Sequence, residues 1–160
     1  MKFEHYQSLI LRMFNQWDED GAPMARQAEI NPEQLPPLVL AYVGDAWFSL
    51  YVRTRLLHQE KNKVRVLHSY GAKMVSAVMQ SRAVHALEPQ LTEEELAIVR
   101  RGRNAKSSVP KSASVSEYRY STGFEALLGY LFLTGRQERL AQITAEAFCI
   151  ISRETAGEIL

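Results

Sequence analysis

The chain has 160 residues, of which 46% are hydrophobic and 23% are charged, and these proportions are typical of one compact globular domain. Its single cysteine, Cys149, excludes an intramolecular disulfide and a zinc site built from several cysteines. No apolar run approaches the roughly 20 residues of a membrane span, and polar residues interrupt the N-terminal segment too often for a signal peptide. We therefore expect a cytoplasmic protein without a membrane partner, with a single domain over residues 1–160.

The N-terminal segment is predicted to be a helical extension over 1–30. The apolar residues between Phe3 and Trp17 recur at helical spacing, which predicts an amphipathic helix. Acidic residues followed by Gly21 and Pro23 end this helix, because neither glycine nor proline continues it well.

The segment from Leu38 to His58 allows two interpretations. Tyrosine, valine, tryptophan and phenylalanine favour strands, so the segment could form two strands joined at Gly44 and Asp45. It is long for a strand, however, and helix-forming residues continue it, so we favour one buried helix that begins near Pro37. Gly44 would cost that helix about 1 kcal/mol relative to alanine, which suggests that another backbone or a ligand approaches closely there.

The rest of the chain predicts further helices, so the expected fold is all-helical. Asn62 can cap a helix that runs to about Leu87, and Thr92 with Glu95 forms a capping box at the start of the next helix. A long polar loop follows over 107–118. Apolar periodicity predicts two last helices, over 122–133 and 137–154.

Two acidic residues stand inside apolar runs. Asp45 lies in Leu-Ala-Tyr-Val-Gly-Asp-Ala-Trp at 40–47, and Glu125 lies in Tyr-Ser-Thr-Gly-Phe-Glu-Ala-Leu-Leu-Gly at 120–129. A carboxylate among buried neighbours costs several kcal/mol unless another group compensates its charge. Two such carboxylates, far apart in sequence, can meet around a divalent cation, which points to metal-assisted hydrolysis.

Each of these carboxylates also has a structural interpretation. Thr122 and Glu125 match a capping box, in which Glu125 accepts a backbone hydrogen bond at the start of a helix. As a metal ligand at the same place, Glu125 would benefit from the positive end of the helix dipole. Asp45 could be a turn residue, or the buried partner of Arg53 or Arg55. The residues alone leave these alternatives open.

A basic segment follows the acidic cluster at 93–95. The net charge of +1 does not indicate nucleic-acid binding, but every charged residue between Arg100 and Lys111 is basic. Such a segment binds phosphates or forms a solvated face. Tyr118 and Tyr120 add aromatic groups of the kind that contact RNA bases. The candidate RNA-binding residues are Arg100, Arg101, Arg103, Asn104, Lys106 and Arg119.

Together these segments resemble the endonuclease domain of the ribonuclease III family. Val-Gly-Asp-Ala at 43–46 is similar to the family's signature helix, and Phe-Glu-Ala-Leu-Leu-Gly at 124–129 is similar to its second signature helix. The resemblance is closer still to the short bacterial branch, Mini-ribonuclease III, because Arg-Arg-Gly-Arg-Asn-Ala-Lys at 100–106 and the stretch at 118–133 also match, in the same order. It covers about 36–151, the expected endonuclease core.

The resemblance implies an all-helical, homodimeric endoribonuclease. In the family, double-stranded RNA lies across the dimer, and Mg²⁺ activates the water that attacks a phosphodiester, which leaves 5′-phosphate and 3′-hydroxyl ends. Asp45 and Glu125 carry over as catalytic acids and metal ligands. The short branch has no separate double-stranded RNA-binding domain and matures the ends of 23S ribosomal RNA. The implied partners are double-stranded ribosomal RNA precursor, a second copy of the chain, and a large-subunit ribosomal protein or the pre-50S particle.

Two positions that are acidic in the longer family members are not acidic here. Ala41 replaces a glutamate that precedes the aspartate, and Thr122 replaces an aspartate that precedes the final glutamate. The short branch shares this reduction, so we expect activity, with water, phosphate oxygens or the Thr122 hydroxyl completing the Mg²⁺ shell.

The residues also fit two other functions, and they predict part of the dimer interface. Ala41 and Thr122 favour a non-catalytic RNA-binding or ribosome-assembly module with the same fold. The near-neutral net charge fits a helical interaction protein without an RNA role. Trp47, Phe48 and Tyr51 are expected to form part of the dimer interface.

Overall fold

The described part of the chain comprises residues 30–61, 63–106 and 113–157 of a computed structural model. The chain divides into two units between Asn31 and Pro32, and every helix given below belongs to the second unit. The predicted N-terminal helix and Asn62 lie outside the described residues. The assignment of 1–160 to one domain therefore stays a prediction.

The described residues form an all-helical fold, as predicted. The α-helices are α1 Pro37–Leu56, α2 Val64–Met74, α3 Ala77–Leu87, α4 Glu93–Arg103, α5 Val115–Leu133 and α6 Gln137–Gly157. Short 3-10 turns at Pro32–Gln34 and Glu88–Gln90 precede α1 and α4. The single-helix interpretation of 38–58 is thus confirmed, and the two-strand interpretation is wrong. None of the described helices is both long enough and apolar enough to cross a bilayer.

Two helix boundaries differ from the prediction. The helix expected to run to Leu87 is two helices, α2 and α3, because the Ser76 hydroxyl accepts the backbone N–H of Met79 at 3.4 Å and caps α3. Helix α5 begins well before Thr122, because Ser114 and Glu117 form its capping box. The predicted polar loop is correspondingly shorter.

Helix α5 is the central element of the fold and packs against α1, α3, α4 and α6. Where α1 crosses α5, two glycines allow the backbones to touch. A Cβ on Gly44 would lie 1.8 Å from the backbone oxygen of Glu125, and a Cβ on Gly129 would lie 1.9 Å from that of Leu40. The close approach predicted at Gly44 is therefore confirmed, and the group that approaches is the backbone of Glu125.

A buried ion pair joins α4 to α6. Arg139 donates to Glu95 from Nε to Oε1 at 2.8 Å and from Nη2 to Oε2 at 2.9 Å. Glu95, which is only 2% exposed, also accepts the backbone N–H of Thr92 in the predicted capping box. The hydrogen bonds from Arg139 are the main reason that the pKa of Glu95 lies below its usual value. Glu95 therefore has a structural role.

We expect Arg139→Met to lower the free energy of unfolding by about 3 kcal/mol, because it leaves a buried carboxylate without its cation. The lowered pKa of Glu95 means that its stabilising contribution is present at neutral pH and is lost as the pH falls below 4.5. The difference from the wild type should therefore shrink in acid. Urea unfolding of both proteins at neutral pH and below pH 4.5 measures this difference in the free energy of unfolding. The control is Arg153→Met, which changes an exposed arginine on the same helix. A loss below about 1 kcal/mol, the size expected of a surface pair, would contradict this account.

Candidate active site

The crossing of α1 and α5 places Asp45 and Glu125 together. Asp45 follows Gly44 on α1, and the Gly44 position lies against the backbone of Glu125 on α5. The side chains are near enough that the negative charge of Asp45 helps to raise the pKa of Glu125. The structure thus brings together the two acids that the sequence singled out in separate segments.

The two carboxylates lie in different surroundings. Asp45 is exposed, so the expectation that its apolar neighbours bury it is wrong, because adjacent residues of a helix point in different directions. Glu125 is half-buried. Burial, followed by the charge of Asp45, raises the pKa of Glu125 to about 8, and a hydrogen bond from Gln80 opposes the rise. Glu125 therefore holds a proton at neutral pH unless a cation replaces it.

The structural interpretations of both acids fail. Glu125 lies in the interior of α5, whose capping box is formed by Ser114 and Glu117, so Glu125 neither caps a helix nor sits at a helix N-terminus. Asp45 forms no ion pair with Arg53, Arg55 or any other basic side chain of the described residues, and the same is true of Glu125. Two neighbouring carboxyl groups without a basic partner are an arrangement whose ionised form a bound cation would stabilise.

The surroundings of the pair are compatible with a hard cation that keeps part of its water. Ala41 is buried, and Thr122 is buried with its hydroxyl donating to the backbone oxygen of Tyr118 at 2.9 Å. Over 30–61, 63–106 and 113–157, no group of three or more His, Cys, Asp or Glu side chains is placed to hold a metal. Within the described residues, the site thus offers two carboxylates. Magnesium fits such a site, because it is usually bound by one or two carboxylates together with water and phosphate oxygens.

Gln80 lies beside Glu125 and was not predicted from the sequence. It lies in α3, is 1% exposed, and donates from Nε2 to the backbone oxygen of Val75 at 2.9 Å. Its amide also lies beside the Glu125 carboxylate and lowers the pKa of that group. The sequence gives only one signal for this placement, the capping residue Ser76. The sequence predicted one helix to about Leu87 with Val64, Leu67 and Val78 on its inward face, and Gln80 is not on that face.

A basic cavity lies between the end of α4 and the start of α5. Its volume is about 470 Å³, and it is lined by Arg103, Asn104, Val115, Ser116, Arg119 and Tyr120. Arg103 donates from Nη1 to the Tyr120 hydroxyl at 2.9 Å and lies over the Tyr120 ring at 5.2 Å from its centroid. The structure therefore brings Arg103, Asn104 and Arg119 together.

The other three candidate RNA-binding residues lie outside this lining. Arg100 approaches Glu93 at 3.9 Å, and Lys106 is exposed beyond the end of α4. Arg101 is exposed but donates to the backbone oxygens of Glu33 at 3.3 Å and Leu35 at 3.0 Å. Arg101 thus links α4 to the turn before α1, which is a structural role in addition to the predicted one.

An apolar surface lies on the side of α1 that includes Tyr42. Tyr42 is 80% exposed and Leu50 is 59% exposed. They border a cavity of about 380 Å³ whose other lining residues are Val43, Ala46, Trp47 and Phe132. Phe48 is completely buried in the core, so its expected place in a dimer interface is wrong. We use the name Tyr42 face for the surface that lines this cavity, which consists of Tyr42, Val43, Ala46, Trp47, Leu50 and Phe132.

Comparison with known proteins identifies the family of the chain. A family model described as the ribonuclease III domain matches residues 38–136. The chain is 50% identical over 124 residues to Mini-ribonuclease 3 of Symbiobacterium thermophilum, a match that covers 77% of this chain and 95% of the relative. It is 53% identical over 110 residues to Mini-ribonuclease 3 of a Thermoanaerobacter species, and this match covers 68% of this chain and 78% of the relative.

A solved structure gives the same result for the fold. The crystal structure of a Fusobacterium nucleatum protein superimposes with a TM-score of 0.65 at 30% identity, and the match covers 78% of this chain and 95% of that one. The family match includes both Asp45 and Glu125. The resemblance noted in the sequence is thereby confirmed, and the chain belongs to the ribonuclease III family of endoribonucleases.

Proposed function

We propose that this chain is a Mg²⁺-dependent endoribonuclease that cleaves double-stranded regions of ribosomal RNA precursor during maturation of 23S ribosomal RNA. The observation that carries the metal assignment is the pair of Asp45 and Glu125, which lie close together without a basic partner among the described residues. The choice of substrate, and of a large-subunit ribosomal protein or the pre-50S particle as partner, is supported by the similarity to Mini-ribonuclease 3 proteins.

The residues of the site have separate roles in this proposal. Bound Mg²⁺ would lower the pKa of the attacking water and stabilise charge that develops on the phosphate. Asp45 and Glu125 hold the cation, and Glu125 must give up its proton to do so. The exposed position of Asp45 leaves this side of the site open to water and to an RNA strand.

A cleavage assay tests the proposed function. Purified protein is incubated with a duplex that carries the 23S precursor stem, with Mg²⁺ or with a chelator, alongside a duplex of unrelated sequence. We expect Mg²⁺-dependent cuts with 5′-phosphate ends, preferentially in the precursor stem. A duplex that is bound but remains uncut with Mg²⁺ would instead favour the non-catalytic module. Equal cleavage of both duplexes would contradict the proposed substrate.

The RNA surface in this proposal is the basic cavity together with the exposed cations beside it. Arginine and asparagine side chains donate to phosphate and sugar oxygens, and Tyr120 offers an aromatic ring. We propose that Arg103, Asn104 and Arg119 bind RNA, with Arg100, Arg101 and Lys106 as further phosphate contacts.

Arg119→Gln should weaken duplex binding for every sequence and reduce the slope of log affinity against log salt by about one, since one phosphate contact is lost. Filter binding over a salt series, with Mg²⁺ replaced by Ca²⁺, measures the slope. Arg153→Gln on α6 removes the same charge outside the cavity and should leave the slope unchanged. If the two variants have the same slope, Arg119 does not contact RNA.

We also propose that the chain acts as a homodimer and that the Tyr42 face forms the interface. Large apolar residues that are exposed side by side usually mark a contact surface. A dimer would bury them and would supply one pair of acids for each strand of a duplex.

Tyr42→Glu should therefore shift the protein to a monomer with little effect on the fold of the subunit, because Tyr42 is 80% exposed. Sedimentation equilibrium measures the mass. Leu57→Glu, which changes an exposed leucine outside the Tyr42 face, is the control and should leave the dimer intact. A Tyr42→Glu protein that sediments as a dimer would exclude this face.

A further inference from the structure

Gln80 is a buried amide whose packing does not account for all of its polar atoms. Its backbone N–H continues α3 to the oxygen of Ser76 at 2.9 Å, and its Nε2 donates to Val75, which closes the break between α2 and α3. Its Oε1 is buried and accepts no hydrogen bond from any described residue. A buried polar atom without a partner costs about 1–3 kcal/mol, whereas a leucine or methionine would fill a similar volume without that cost.

The remaining contact of Gln80 is with Glu125. The Gln80 amide lies beside the Glu125 carboxylate, within reach of a hydrogen bond to it. Gln80 approaches from α3, whereas Asp45 lies on α1, so Glu125 has contacts from two different helices. A hydrogen bond of this kind fixes the orientation of a ligand carboxylate, and the loss of such a partner typically lowers metal affinity 10- to 100-fold.

We propose that Gln80 is a positioning residue of the active site, whose amide holds the Glu125 carboxylate in the orientation in which it shares a divalent cation with Asp45. The inference rests on the proposed metal site and adds a residue to it. Gln80 does not itself contact the cation in this account. It acts through Glu125, and its effect should appear as a change in cation affinity even when no RNA is present.

The test is a calorimetric titration of metal-free variants with Mn²⁺, without RNA, alongside their thermal unfolding. Gln80→Leu removes both the donor and the unpartnered oxygen, and Gln80→Met does the same with a more flexible side chain in case the leucine variant does not fold. We expect Mn²⁺ affinity to fall 10- to 100-fold in either variant. The metal-free variants lose the hydrogen bond to Val75 as well as the unpartnered oxygen, so their unfolding temperature should change little.

Ser76→Ala is the matched control for the junction of α2 and α3. It removes the α3 cap, which should lower the unfolding temperature, and it leaves the Gln80 side chain intact, so Mn²⁺ affinity should be unchanged. Wild-type affinity in Gln80→Leu or Gln80→Met would overturn the inference. A wild-type protein that does not bind Mn²⁺ would instead overturn the metal site of the proposed function, so the two failures are distinguishable.

Discussion

Gly44→Ala should prevent stable folding or lower the free energy of unfolding by about 3 kcal/mol, the upper end of the usual cost of overpacking. The added Cβ would lie 1.8 Å from the backbone oxygen of Glu125 and 2.8 Å from the backbone nitrogen of Gly129. Both atoms belong to the main chain of the central helix, so no flexible side chain can move aside. Because α1 and α5 would have to separate, the substitution should also disturb the pair of acids that meets at this crossing.

Gly71→Ala is the matched control for that prediction. Its Cβ would meet only Cδ1 of Leu56 at 3.7 Å, an ordinary contact, and alanine is favoured over glycine inside a helix by up to about 1 kcal/mol. Chemical unfolding should therefore give a lower free energy of unfolding than the wild type for Gly44→Ala and a higher one for Gly71→Ala. A Gly44→Ala protein as stable as the wild type would show that α1 and α5 do not pack backbone to backbone.

Asp45→Asn and Glu125→Gln should each lower the rate of duplex cleavage by at least about a hundredfold. Each substitution preserves shape and removes one of the two carboxylates that are proposed to hold the cation. Single-turnover cleavage with excess enzyme and saturating Mg²⁺ separates the chemical step from RNA binding. The expected result is a loss of rate with little change in the affinity for duplex RNA.

Two controls distinguish this result from a loss of structure. Glu138→Gln removes an exposed acid of α6 and should keep the wild-type rate. The metal-free Asp45→Asn protein should be no less stable than the wild type. The substitution removes a negative charge that repels the ionised form of Glu125. Wild-type cleavage by either active-site variant would remove that residue from the catalytic machinery.

The sequence predicted which segments are helical better than it predicted where each helix begins and ends. Helix α1 was predicted correctly because the segment is long for a strand and helix-forming residues continue it. The start of α5 was missed because two capping boxes fit the sequence, one at Ser114 and one at Thr122, and only packing selects between them. The break before α3 was missed for a similar reason, since a single serine caps it.

The two acids of the candidate site were predicted from the sequence, but the neutral residue beside them, Gln80, was not. A charged side chain in an apolar run is visible in a sequence, so Asp45 and Glu125 were identified. A glutamine such as Gln80 is unremarkable until the tertiary structure buries it beside a carboxylate. The exposure of Asp45 and the links from Arg101 to the backbone of Glu33 and Leu35 likewise depend on which faces the helices present.

The measurement that tests the central claim most directly is Mn²⁺ binding by the metal-free protein at neutral pH, by calorimetry in buffers of different ionisation enthalpy. The wild type should bind the cation and release about one proton for each cation, because Glu125, with a pKa of about 8, must ionise to become a ligand. Asp45→Asn and Glu125→Gln should both lose this binding. Binding of Mn²⁺ by both variants with wild-type affinity would contradict the claim that the two acids share one metal ion.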